Sequence, residues 1–218
     1  MTTDIKEKMS PGDANALREL ALRVGGRGAL FVEVGCWKGY STAILAESIP
    51  YGTVYAVDHW EGNPGTWNYE VARDNDIYAI FKANIFSLGL RDIVHPVVMD
   101  SQAASKLFED GVMDLIFLDA DHRYDYVKED IMSWLPKLKE GGILCGHDCE
   151  EYYSRFNELA QRDIEAWKNE DCIGGVYFEG SIHPGVIKAL HETLSGKYIK
   201  MPKSTIWYYV KENDAVRI

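Results

Sequence analysis

Two short stretches concentrate groups that move protons and hold cations. FLDADHRYD, residues 117–125, carries Asp119, Asp121 and His122, and GHDC, residues 146–149, carries His147 and Asp148. Each continues an apolar run that reads as a strand, so both fall at strand ends, where an open α/β sheet places its ligands. Asp119 closes an almost wholly apolar strand; an unpaired carboxylate there is costly, so it requires a partner. Two partnerships are open. In one, the acids and an imidazole hold a divalent cation, where hard oxygen ligands suit Mg²⁺ and the imidazole also admits Mn²⁺ or another transition ion. In the other no metal takes part, and His122 or His147 acts as base while Asp119 or Asp148 fixes its tautomer. His122 is the preferred base, because an imidazole with an ordinary pKa of about 6.5 can accept a proton at neutral pH. Asp121 has a plainer role available, as the cap of the helix that follows.

Upstream, FVEVGCWKGYST (31–42) joins a strand-like run to a helical one through Gly35 and Gly39. Glycines there let the backbone turn sharply or approach a ligand closely. The middle glycine of G-x-G-x-x-G is missing, and Trp37 would fill the room that glycine leaves for a dinucleotide's pyrophosphate. This favours a nucleotide cofactor without a pyrophosphate, S-adenosylmethionine. Asp58, at the end of the next strand, is placed to accept both ribose hydroxyls, a contact that a nicotinamide cofactor would use in the same way. Asp100 and Ser101, after a third strand, can bond the exocyclic amine of adenine or serve only as a helix cap.

Such groups need a scaffold, and the pattern supplies one. Strand-like runs at 29–34, 53–58, 93–98, 113–119 and 142–146 alternate with helical patterns at Tyr40–Ser48, Val71–Leu88, Ser101–Phe108 and Tyr124–Leu138. That alternation predicts an α/β fold, doubly wound, with a mostly parallel sheet and helices on both faces. A helix at Ala14–Val24 covers one end. After Asp148 come a polar amphipathic helix over 150–170 and a second helix over 183–194. KYIKM and STIWYYVKE then form an antiparallel C-terminal hairpin at the sheet edge, for seven strands in all. The whole reads as one domain, 1–218: a helical cover (1–27), a cofactor-binding core (28–148), an insertion (149–180) that is a lid or a homodimer contact, and a C-terminal helix with its hairpin (181–218). In the loop 59–70, Trp60 and Trp67 can line a pocket or pack the loop down, and packing is favoured for Trp67. His183 reads as local structure at a helix start.

A chain of 218 residues with 46% hydrophobic content suits one packed core. Its net charge of −11 disfavours nucleic acid and anionic membrane surfaces as partners and leaves a small molecule. No apolar run approaches a membrane span, and four cysteines without framework spacing suit a reducing compartment, so a cytoplasmic protein is expected.

Taken together, VEVGCWKGYST, VYAVDHW, VVMDSQ, DLIFLDADHRYD and LKEGGILCGHD resemble the class I S-adenosylmethionine-dependent methyltransferases. The likeness is to the catechol-type and macrocin-type small-molecule O-methyltransferases, and it runs in the same order from Phe31 to Asp148. It implies a Rossmann-like fold and methyl transfer to a hydroxyl of a sugar or an aromatic ring. Carried over, it puts Glu33, Gly35 and Gly39 around the methionine part with Ser41 beside it. Asp58 then lies on the ribose, His59 near adenine, and Asp100 and Ser101 at the adenine edge. It also implies a metal held by Asp119 with His147 and Asp148, although His147 stands where the family usually has an acid, and it puts His122 where the catechol-type enzymes carry a lysine base. The rivals left by the residues are a nicotinamide-dependent oxidoreductase, which the missing glycine opposes, and a cofactor-binding module without catalysis, which the polar cluster opposes.

Overall fold

The computed structural model describes residues 9–175, 177 and 180–212; the parts of the expected cover, insertion and C-terminal segment at 1–8, 176, 178–179 and 213–218 lie outside them. In chain order the strands are β1 (Leu30–Val34), β2 (Thr53–Asp58), β3 (Val94–Val98), β4 (Met113–Leu118), β5 (Leu138–Gly146), β6 (Ile173–Gly174), β7 (Ser181–Ile182), β8 (Ile199–Lys200) and β9 (Trp207–Val210). The helices are α1 (Pro11–Val24), α2 (Tyr40–Ser48), α3 (Trp67–Asp74), α4 (Ile77–Ser87), α5 (Ser101–Ser105), α6 (Tyr124–Trp134), α7 (Glu158–Trp167) and α8 (Pro184–Thr193). The main sheet has seven strands in the order β3-β2-β1-β4-β5-β9-β8. β1 to β5 pair in parallel, and β9 and β8 add antiparallel at the edge, as expected.

Alternation along the strands builds two cores. Phe31, Leu115, Phe117 and Cys145 face α1, α2 and α4, while Val32, Ile116, Leu118 and Leu144 face α6 and α8. Reversal of the strand order at β1 and β4 opens a crevice over their carboxyl ends, where Gly35, Asp58 and Asp119 follow. α1 begins with a capping box in which Ser10 accepts from the Asp13 N–H at 3.1 Å, with Pro11 in the first turn.

Several boundaries differ from the pattern. The helix expected over Val71–Leu88 is two, because Asp76 turns its side chain onto the Ala79 N–H (2.8 Å) and starts α4 afresh. α5 is one short turn rather than reaching Phe108. α6 gives way at Trp134 to a 3₁₀ turn over Leu135–Lys137, since Pro136 has no N–H to continue the ladder. The amphipathic stretch 150–170 is a 3₁₀ turn (Tyr153–Arg155) followed by α7, capped by Asn157. A two-stranded ribbon of β6 and β7 follows it, which the sequence pattern did not reveal. Among the described residues, no helix is long and apolar enough to cross a membrane.

Candidate active site

The turn after β1 is built around close backbone contacts. Gly35 has φ of 88°, and a Cβ on it would sit 2.2 Å from the Asp119 carbonyl oxygen, so the ends of β1 and β4 can cross this closely only with glycine. Asp58 knits the turn to the next loop. Its Oδ2 accepts from the N–H groups of Cys36 and Trp37, both at 2.9 Å, and its Oδ1 from Trp60 at 2.6 Å. Gly39, also left-handed at φ 91°, presses on Phe81 and Ile85 of α4.

Glu33 lies beneath this turn, wholly buried, and accepts from the hydroxyls of Ser41 and Thr42. Burial pushes its carboxyl up to about 7 despite those two bonds. Expected around the methionine part, Glu33 and Gly39 in fact stand behind the crevice wall. They shape the turn, because both Glu33 oxygens are already engaged by the first turn of α2.

The crevice has two connected chambers with Gly35, Trp37, Asn68, Asp119 and Ala120 in their common wall. The first runs over Asp58, His59, Met99, Asp100, Ser101 and Gln102. Here Asp100 is exposed and its side chain caps nothing, whereas the Ser101 hydroxyl donates to Asp130 and accepts from Trp134 Nε1 at 2.8 Å. The Ser101 hydroxyl is thus held by a buried acid that the sequence reading passed over. Burial raises Asp130 to about 7. His59 lines the same chamber with Nδ1 accepting from Glu61 N at 3.0 Å.

The second chamber, about 450 Å³, sets Trp37, Tyr40, Trp67 and Val71 against His122, His147 and Asp148. Trp67 is half exposed and meets Trp37 edge to face at 5.6 Å, so it lines the chamber rather than packing the loop. Trp60 does the packing, 4% exposed between Tyr78 and Phe81. At the junction of the two chambers, Trp37 Nε1 and Asn68 Oδ1 are buried without a hydrogen-bond partner, a cost that a polar ligand would remove.

The expected acid and histidine cluster forms, and it is larger than the sequence indicated. His122 places Nδ1 2.9 Å from Asp171 Oδ1, and Nε2 3.1 Å from Asp148 and 3.7 Å from Asp119. His147 places Nδ1 2.9 Å from Asp148 and 3.8 Å from Asp119, and Nε2 3.4 Å from Asp13 of α1. That last separation is an ion-pair distance without hydrogen-bond alignment. Asp148 holds φ of 62°, uncommon for a non-glycine residue, which turns its carboxylate between the two rings.

Burial opposes charge on both rings, but the surrounding acids outweigh it. Asp119, Asp171 and Asp148 hold His122 well above its ordinary 6.5, and Asp119, Asp13 and Asp148 push His147 up to about 11. The sequence reading missed Asp13 and Asp171, which arrive from distant elements, and set His183 aside. His183 stacks its ring edge against His122 at 4.7 Å and sits 2.7 Å from Glu150. Asp121 is not the helix cap; it accepts from Arg123 N at 3.0 Å and pairs with the Arg123 guanidinium.

Among the described residues, two groupings bring three such side chains together with donor atoms within 4.8 Å: Asp119, His147 and Asp148, and His122, Asp148 and His183. The first, two carboxylates and an imidazole, fits a divalent cation by donor type.

A strand order of this kind, a glycine turn over β1 and an acid closing β2 define a nucleotide-cofactor protein of the class I methyltransferase type. Residues 32–149, more than half the chain, match the family described as Methyltransferase domain, and the chain belongs to it. Membership decides against the dehydrogenase alternative. Over 132 residues the chain is 28% identical to the uncharacterized protein y4gI of Sinorhizobium fredii; that stretch is 55% of this chain and 13% of the relative, so the chain spans a small part of that protein's length. Among solved structures, a protein of Corynebacterium glutamicum superposes with a TM-score of 0.67 at 12% identity, covering 97% of this chain and 85% of its own. An O-methyltransferase of Bacillus cereus in complex with SAH gives 0.59 at 20% identity, with 97% and 84% covered. A SAM-dependent O-methyltransferase of Thermotoga maritima gives 0.56 at 16%, with 97% and 69% covered. At these identities the likeness is one of fold.

Proposed function

We propose that the protein transfers the methyl group of S-adenosylmethionine to a hydroxyl of a small molecule, a sugar or an aromatic ring, with the help of a divalent cation. The observation that carries this reading is the shared wall of the two chambers: a crevice lined by Asp58, His59, Asp100 and Ser101 opens beside Asp119 onto a chamber holding the acid and histidine cluster. In this reading the acceptor site left on Asp58 Oδ1 takes a ribose hydroxyl, and Asp100, Ser101 and His59 border the adenine. Gly35 lets the methionine part lie against the backbone, and Ser41, with Glu33 and Gly39 behind it, positions the turn.

Methyl transfer needs an in-line approach and the removal of the hydroxyl proton as the new bond forms. Asp119, His147 and Asp148 would hold the cation, which supplies charge stabilisation for the acceptor oxygen. His122 Nε2 faces the same space; once Asp119 and Asp148 are engaged with a cation they would no longer hold a proton on this ring, and His122 is then the base that takes the hydroxyl proton. Asp171 at Nδ1 holds the ring in place for it. The aromatic wall of Trp37 and Trp67 would seat the acceptor ring and exclude water.

The test is release of S-adenosylhomocysteine over a panel of sugars and catechols, with and without Mg²⁺. Release that requires an acceptor, and that disappears in Asp119→Asn while S-adenosylmethionine still binds, is the expected result. Binding of S-adenosylmethionine without turnover on any acceptor would favour a cofactor-binding module instead.

A further inference from the structure

The second grouping has a composition of its own. His122, from the loop after β4, and His183, from the turn into α8, meet edge to face with ring centroids 4.7 Å apart and both reach Asp148. His122 Nε2 lies 3.1 Å from Asp148 Oδ2, and His183 Nδ1 lies 3.6 Å from Asp148 Oδ1. Donor atoms that share one ion at about 2.1 Å sit about 3.0–3.4 Å apart when adjacent, and about 4.2 Å when opposite. The two separations to Asp148 lie at or slightly beyond these values and the three donor atoms fall within 4.8 Å of one another, so side-chain adjustment would bring them onto a common ion.

The outer contacts suit the same purpose. Asp171 binds the Nδ1 of His122 at 2.9 Å and so directs Nε2 inward, the carboxylate–histidine arrangement that orients metal-bound imidazoles. Glu150 occupies the Nδ1 of His183 at 2.7 Å, the place an ion would take, and is itself a carboxylate within reach of that ion.

We propose that His122, Asp148 and His183 form a second cation position, beside the one assigned to Asp119, His147 and Asp148 and sharing Asp148 with it. Two imidazoles with one carboxylate favour a transition ion of the Zn²⁺, Co²⁺ or Fe²⁺ kind, whereas the first position, richer in carboxylate, also accepts Mg²⁺. An ion here takes Nε2 and so removes the base assigned above, which makes this second position inhibitory to methyl transfer. Metal stoichiometry is independent of methyl transfer: an inactive protein that bound two ions would sink the proposed function and leave this site standing.

The experiment uses Co²⁺ alone, by equilibrium dialysis with elemental analysis, on the full chain and on His183→Asn and His183→Ala. Two Co²⁺ per chain are expected for the unaltered protein and one for each variant, with one Mg²⁺ per chain throughout. Should either variant fail to fold, the histidine ring resonances of the unaltered protein decide: a second equivalent of Zn²⁺ should shift His122 and His183. Saturation at one Co²⁺ per chain, or a second equivalent that leaves the His183 ring unmoved, overturns the proposal.

Discussion

Replacing Glu33 with glutamine isolates what it costs this fold to keep a carboxylate where no water reaches it. Glu33 is 0% exposed, and burial lifts its pKa from 4.5 to about 7 against the pull of the Ser41 and Thr42 hydroxyls. Below pH 4.5 the group is protonated in both folded and unfolded chains and has no effect. As pH rises from there, the unfolded chain releases its proton first, so unfolding becomes progressively easier until about pH 7, above which the cost is complete. At about 1.4 kcal/mol per pH unit, the gap amounts to about 3 kcal/mol.

Glutamine removes that dependence while keeping an oxygen for one hydroxyl and offering an N–H to the other. Urea unfolding of both proteins at pH 4.5 and pH 8 measures it, since every other titrating group contributes alike and cancels in the difference. The glutamine protein should gain about 3 kcal/mol relative to the unaltered one between the two pH values. A difference that does not change with pH would refute the reasoning, and one of the opposite sign would mean that hydrogen bonding, not burial, governs this carboxyl.

Gly35→Ala should destabilise the fold by about 3 kcal/mol or more and abolish S-adenosylmethionine binding, as read by thermal unfolding and calorimetry, because its Cβ would fall 2.2 Å from a backbone oxygen at φ 88°. Trp60→Ala should cost about 3–5 kcal/mol in denaturant unfolding. Trp67→Ala, at a half-exposed chamber wall, should cost less than about 1 kcal/mol and raise the KM for the acceptor instead. Chelation of divalent ions should lower turnover by about 100-fold without changing the Kd for S-adenosylmethionine. Asp58→Asn should weaken S-adenosylmethionine by about tenfold or more, because the turn loses a charged acceptor for Cys36 and Trp37 along with the proposed ribose contact. Unchanged affinity would remove Asp58 from the site.

Local signals carried the order of strands and helices, the glycine turn and the acids at strand ends, because each is written in consecutive residues. The continuous apolar runs of β1 and β4, buried on both faces, and the glycines needed at 35 and 39 are of this kind. So is the pairing of Asp119 with His147 and Asp148, since strands adjacent in a parallel sheet bring their carboxyl ends together. Helix breaks were less legible: Asp76 ends one helix and begins another by a side-chain bond that no periodicity records.

What only the tertiary structure decided is which distant groups complete the site. Asp13 comes from α1, Asp171 from the segment after α7, His183 from the start of α8, and Asp130 from the inner face of α6. Asp13 belongs only to a helix capping box and none of the four sits in a motif that points to chemistry; their roles arise from how the helices pack on the two faces of the sheet. For the same reason the sequence could point to S-adenosylmethionine and to a cation from the strand ends alone. Three histidines gathered around one left-handed aspartate became visible only when the chain folded, because α8 must pack on α6 and the insertion on α8 before His183 and Asp171 reach His122.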